Sequence, residues 1–252
     1  MHPQLITHPS RRYRFLAGIA PYSCGVIAEP GWEMVRTVLH EPVGWREGFD
    51  RVEAYLRSIG QPRDTLCAME LRSPAPFTMD GFIDFNRGYC DVLEQWGVMH
   101  QGLNPVARTN VAPLSHPPSE VCLHAFTVVQ PSTNSSRPTF IVAGAGELRE
   151  GHLESDRIVR RGEACETALL EKADYVLEVM ENRLAGLGVG WAAVTAIDIY
   201  TAHDLSLALR GLLLDRLGPA ARNGLCWHLS RPPVVEIEFE MDVRGVRLEQ
   251  RL

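Results

Sequence analysis

Residues 221–240 read ARNGLCWHLSRPPVVEIEFE, an arginine followed by a row of carboxylates at every second position. In an extended chain that alternation puts Glu236, Glu238 and Glu240 on one face and Val235, Ile237 and Phe239 on the other. A guanidinium is a planar fork that grips a carboxylate bidentately and stays charged at any working pH, and a nearby carboxylate can hold a water and pass protons. An arginine and a carboxylate from this segment could therefore hold a small carboxylic acid beside a group that binds water. The structural alternatives are a solvated strand face for the glutamates and a salt-bridge staple for the arginine.

A second arginine has the same setting. Arg108 precedes Val121 by the 13 residues that separate Arg222 from Val235 (108 to 121 and 222 to 235). Where this spacing puts Glu236, the first half has Cys122, with His124 in the place of Glu238. Cys122 and His124 share a strand face without a defined base geometry, which argues against a nucleophile pair, and two residues are too few for a metal site.

The elements that position these residues also recur. In the first half, WREGFDRVEAYLRSIG reads as an amphipathic helix stopped by Gly60, DTLCAMELR as a strand, and MDGFIDFNRGYCDVLEQWG as a helix stopped by Gly97. In the second, a long helix over EACETALLEKADYVLEVMENRLAGLG stops near Gly188. AAVTAIDIY follows as a strand and HDLSLALRGLLLDRLG as a helix ending at Gly218. The polar, proline-flanked QPSTNSSRP reads as a linker. The expected organisation is an α+β fold of two tandem units, 1–129 and 139–252, joined by 130–138, each a mixed or antiparallel sheet with two helices on one face.

In GIAPYSCGV, FNRGY, NPVARTNV, FIVAGAGEL, AARNGL and VVEIE, in that order, the chain resembles the RidA/YjgF proteins. The resemblance implies chorismate-mutase-like units and trimers with clefts between neighbouring units. It further implies a substrate-binding arginine and a last-strand glutamate that activates water to hydrolyse an enamine or imine. By register those two are Arg222 and Glu236, with Arg108, Tyr22 and Asn86 as substrate-binding residues. The expected reaction is deamination of an enamine or imine carboxylate, such as an aminomuconate of aromatic-ring degradation, to a 2-oxo acid and ammonia. A non-catalytic small-carboxylate binder and a chorismatase-like enzyme are the alternatives. A protonated imine is already electrophilic, so no metal or organic cofactor is expected.

Bulk composition sets the remaining bounds. The 252 residues are 45% hydrophobic and 22% charged, enough for a sizeable core, and the net charge of −6 argues against nucleic acid as partner. No uncharged run is long enough to span a bilayer, and the N-terminal residues lack the apolar core of a signal peptide, so a cytoplasmic protein is expected. Six cysteines with no C-x-x-C pair point to reduced thiols. Helices on one face of each sheet leave the other bare, which points to a homo-oligomer, with a trimer favoured.

Overall fold

Apolar residues three and four apart build the helices. In the computed structural model, which describes residues 4–132 and 137–252, Trp45–Ser58 (α1) buries Phe49, Val52 and Leu56. Met79–Trp96 (α2) buries Phe82, Asn86, Tyr89 and Leu93. The Thr78 hydroxyl caps α2 by accepting from the Gly81 N–H, and Gly97, left-handed at φ 71°, ends it. Glu166–Gly186 (α3) and Leu207–Leu217 (α4) are the second pair, α4 capped by Ser206.

Among the described residues, twelve strands form one sheet. Leu5–Thr7 (β1), Tyr13–Leu16 (β2), Gly25–Ala28 (β3) and Trp32–Gly44 (β4) precede α1. Leu66–Arg72 (β5) lies between α1 and α2, and Ala107–Pro113 (β6) and Cys122–Pro131 (β7) follow α2. Phe140–Gly146 (β8) precedes α3, and Ala196–Thr201 (β9) separates α3 from α4. Cys226–Arg231 (β10), Glu240–Gly245 (β11) and Leu248–Arg251 (β12) complete the chain. The order is β1-β2-β3-β8-β11-β9-β10-β6-β5-β7-β4-β12.

That order contains one pattern twice. β4-α1-β5-α2-β6-β7 arranges its strands β4-β7-β5-β6, and β8-α3-β9-α4-β10-β11 arranges its strands β8-β11-β9-β10. In both, the third pairing is parallel and the other two are antiparallel. The quartets join where Ser230 and Arg231 pair with Pro113 and Ala112. The terminal strands cross over: β3 pairs with β8 of the second quartet, and β12 pairs with β4 of the first. Of the linker expected over 130–138, residues 133–136 lie outside the described residues, and Pro131 still belongs to β7.

Each helix pair covers its own quartet with a separate core. A third cluster joins Tyr13, Phe15 and Val26 to Met34, Ala68, Ala107, Val129 and Ala143. These residues come from strands far apart in the order, so the sheet curls until its helix-free faces meet. Part of the face that each half leaves bare is thus covered by the other half. No helix among the described residues is long and apolar enough to cross a membrane, and all six cysteines are free thiols.

The expected strand over VVEIEFE begins only at Glu240. Pro232 and Pro233 interrupt pairing, and the segment turns aside to the residue that leads into α2. There Phe77 donates its N–H to the Pro233 carbonyl (2.7 Å) and accepts from the Val235 N–H (2.9 Å). Glu236 lies in the resulting turn at φ 70°, so the alternation of 235–240 does not put the three glutamates on one face. The chain returns to the sheet where the Glu147 carboxylate accepts the N–H groups of Glu238 (2.6 Å) and Phe239 (3.0 Å). Lys172 of α3 binds the same carboxylate at 2.9 Å, and both side chains are wholly buried.

Removing Lys172 strands a buried carboxylate, a change that costs about 3–5 kcal/mol in such pairs. Lys172→Met should therefore lower stability by about that amount in urea melts, and Glu147→Gln in the same chain should recover part of the loss. A loss under about 1 kcal/mol would show that the pair does not hold the chain here.

Candidate active site

A cavity of about 470 Å³ opens where the two quartets curl together. Tyr22, Phe82, Arg108 and Asn110 line it from the first half of the chain, and Gly144, Arg149, Arg183, Ile237 and Glu240 from the second. β6 carries Arg108 into it. Strand alternation puts the small Ala107 into the core between the curled, helix-free faces and turns Arg108 toward α2. The guanidinium is 4% exposed, and its Nη2 donates to Asn86 Oδ1 at 2.7 Å. Its Cζ lies 4.8 Å from the ring centroid of Tyr89, 5.2 Å from Tyr22, 5.7 Å from Phe82 and 5.8 Å from Phe85. These π faces stabilise a buried cation. Nη1 has no hydrogen-bond partner among the described residues, and the same holds for Nδ2 of Asn110 in the cavity wall. Unpaired donors on a buried cation suit an anionic ligand. Burial lowers the pKa of Arg108, but arginine remains charged.

Glu240, 4% exposed, is the first residue of β11. Burial first, then Asp242 and Glu147, push its carboxyl well above the ordinary value, against the pull of Arg183 and Arg108. Gly144 makes room for it: a Cβ at that position would stand 2.3 Å from Glu240 Oε1. Asp242, one alternation further along β11, accepts from Thr109 Oγ1 (2.8 Å) and Tyr200 Oη (3.0 Å). Burial, Asp198 and Glu70 push its pKa up to about 7. Arg183 is fully engaged: Nη1 donates to the Ala143 carbonyl (2.9 Å), while Nε (2.9 Å) and Nη2 (2.8 Å) bind Glu150 Oε1. A buried carboxyl whose pKa is raised and a cation with a free donor thus line one cavity, an arrangement that can bind a carboxylate and give and take a proton beside it.

The structure brings Arg108, Asn86 and Tyr22 together. Asn86 stands behind Arg108, outside the cavity wall, and accepts a hydrogen bond from its guanidinium. Arg222 and Glu236 are not brought to this site. Arg222 is exposed in the short 3-10 helix Gly218–Asn223, before β10 begins, whereas Arg108 is inside a strand. The equal 13-residue spacing therefore spans different elements. Glu236 leaves with the turn and pairs with Arg161 at 2.8 Å. Glu238 is 2.8 Å from His203, so of the three glutamates Glu240 enters the cavity. Arg183, which the sequence reading passed over, had a signal: it shares the buried stripe of α3 with Lys172, Val176 and Met180.

Cys122 bonds the Glu120 carbonyl through Sγ at 3.2 Å. Burial and Arg72 hold His124 at about 4, so it is neutral at physiological pH. Among the described residues, Asp198, Cys226 and His228 bring three potential metal ligands within 4.8 Å of one another. The Asp198 carboxylate is already shared between Arg244 and His228, so the cluster is an ion-pair network.

A family model described as 2-aminomuconate deaminase CnbZ matches residues 5–250. The 2-amino-5-chloromuconate deaminase of Comamonas testosteroni is 43% identical over 245 residues, 96% of this chain and 97% of that protein. Among solved structures, a chorismatase shares the fold with a TM-score of 0.53 at 16% identity, over 88% of this chain and 77% of its own. The YjgF gene product of E. coli aligns at 11% identity with a TM-score of 0.28, over 43% of this chain and 80% of that one.

The raised pKa of Glu240 has a consequence for stability. The folded chain keeps a proton that the unfolded chain releases above 4.5, so this contribution is complete below 4.5 and is lost as pH rises through the folded value. Glu240→Gln carries no such loss. Its melting temperature relative to wild type should rise as the pH is raised above about 5. A constant difference over that range would mean that the carboxyl titrates as an exposed one.

Proposed function

The chain belongs to the 2-aminomuconate deaminase CnbZ family, and on that footing we propose that the cavity hydrolyses a 2-aminomuconate-type acid to the 2-oxo acid and ammonia. The observation that carries this reading is that one cavity is lined by a buried guanidinium with a free N–H and by a buried carboxyl whose pKa burial pushes well above the ordinary value.

In this reading Arg108, steadied by Asn86 and the ring of Tyr22, binds the carboxylate next to the amino-bearing carbon. The Glu240 carboxyl gives its proton to the carbon skeleton of the dienamine and so produces an electrophilic iminium. The carboxylate that remains takes a proton from water as the oxygen attacks the iminium carbon. That proton passes to nitrogen, the C–N bond breaks, and ammonia leaves as the carbinol hydroxyl returns its proton to Glu240 and becomes the 2-oxo group. One water is consumed and one ammonia released, and Glu240 ends protonated as it began. The buried site strengthens each of these electrostatic contacts. Glu147 and Lys172 hold the approach to β11 and so keep Glu240 in place.

We further propose that residues 1–129 and 139–252 are tandem RidA-like units that have exchanged terminal strands. The matching strand orders support this. Leu114, Trp227 and Leu229, each at least 40% exposed on the joined strands β6 and β10 or beside them, support a homo-oligomer, with a trimer favoured. Free thiols fit a cytoplasmic setting.

Ammonia release from 2-aminomuconate generated in situ tests the reading. Glu240→Gln and Arg108→Ala should each lower kcat/KM by about 100-fold or more, Glu240→Gln mainly through kcat. Arg222→Ala and Glu236→Gln should stay within about twofold of wild type, as expected of exposed residues. Full activity in Glu240→Gln, or loss confined to Glu236→Gln, would move the chemistry out of this cavity.

A further inference from the structure

A second cation stands at the mouth of the same cavity. Arg149 lines it with an exposed side chain. The nearby carboxylates are committed elsewhere, Glu150 to Arg183 and Glu154 to His152, which leaves the Arg149 guanidinium unpaired among the described residues. Its backbone is fixed all the same. The Arg149 N–H donates to the Arg157 carbonyl (3.2 Å), and its carbonyl accepts from the His152 N–H (3.2 Å). Tyr175 of α3 holds the flanking residues, its hydroxyl accepting from the Glu150 N–H (3.0 Å) and donating to the Leu148 carbonyl (3.4 Å). The Arg149 Cζ lies 5.8 Å from the Tyr175 ring centroid, so the charge is braced against an aromatic face.

The charges around the cavity decide what it will accept. Arg183 and Glu150 cancel, and Glu240 is neutral when protonated, so Arg108 inside and Arg149 at the mouth remain. Two separated positive charges in one cavity complement a ligand with an anion at each end. We propose that Arg149 binds the far carboxylate of a dicarboxylate substrate whose amino-bearing end is held by Arg108, and so selects dicarboxylates over monocarboxylates of equal length. The substrate enters with its reactive end first, and its second carboxylate stays near solvent. This assignment rests on the deaminase reading above and adds the residue that sets substrate class.

Two unreactive acids isolate the far carboxylate: muconate, hexa-2,4-dienedioate, and sorbate, hexa-2,4-dienoate, in which a methyl group replaces it. Calorimetric titration of wild type should show muconate bound about tenfold tighter than sorbate, the scale of one partly exposed charge-assisted contact. Arg149→Ala should abolish the preference by weakening muconate alone, and Arg149→Lys should keep part of it. Equal weakening of both acids, an unchanged preference in Arg149→Ala, or no binding of either acid to wild type would overturn the proposal. Ammonia release is read separately. Selection through Arg149 without turnover of 2-aminomuconate would defeat the deaminase reading while leaving the dicarboxylate site standing.

Discussion

The wholly buried carboxylate of Glu147 holds together the parts that matter most. It accepts two backbone N–H groups at the approach to β11 and the ammonium of Lys172, joining the end of β8, helix α3 and the last long strand. Burial outweighs these partners and raises its pKa, so the arrangement survives only while all of them are present. Its position one residue beyond β8 also places a negative charge near Glu240, which helps keep that carboxyl protonated. One buried group thus positions the proposed acid and adds to the burial and the Asp242 charge that raise its pKa.

A second set of charges, buried or nearly so except for Glu249, ties the C-terminal strand of the chain to both quartets. Arg36 of β4 binds Glu70 of β5 through two hydrogen bonds, at 2.6 and 2.7 Å, and reaches Glu249 of β12 at 3.0 Å. Arg244 of β11 binds Asp198 of β9 and, at 2.9 Å, the same Glu249. Arg36 holds Glu70 well below the usual carboxylate range despite its burial. Burial, with Asp198 and Glu70 nearby, raises Asp242 to about 7. Ion pairing therefore lowers Glu70 and Asp198, whereas burial and the charges of those two carboxylates raise Asp242.

The two halves repeat a topology but contribute different chemistry. The first supplies the caged cation, Arg108, with the aromatic rings of α2 around it. The second supplies the carboxyl, Glu240, and the cations Arg183 and Arg149. The cavity forms because the curled sheet brings β6 against β8 and β11, where Thr109 accepts from the Gly144 N–H (3.1 Å) and donates to Asp242. A chain carrying both halves builds this cavity within itself.

Local signals in the sequence determined the helices and where they stop, since Gly60, Gly97 and Gly188 all take left-handed backbone at helix ends. The recurring order of elements was legible for the same reason: periodicity and glycine punctuation act over a few residues. So was the cluster of Arg108, Asn86 and Tyr22, carried by motifs whose residues lie on one strand, one helix and one turn. What only the tertiary structure decided was which glutamate of 236, 238 and 240 enters the cavity. Phe77, more than 150 residues earlier in the chain, pulls 233–235 aside, and Glu147 recaptures the backbone at 238 and 239. Each residue of that detour moves a glutamate off the face that simple alternation assigns. The crossing of β3 and β12 between halves and the burial of Arg183 depend likewise on partners distant in sequence, whose unsatisfied hydrogen bonds and charges are balanced only when the sheet has closed on itself.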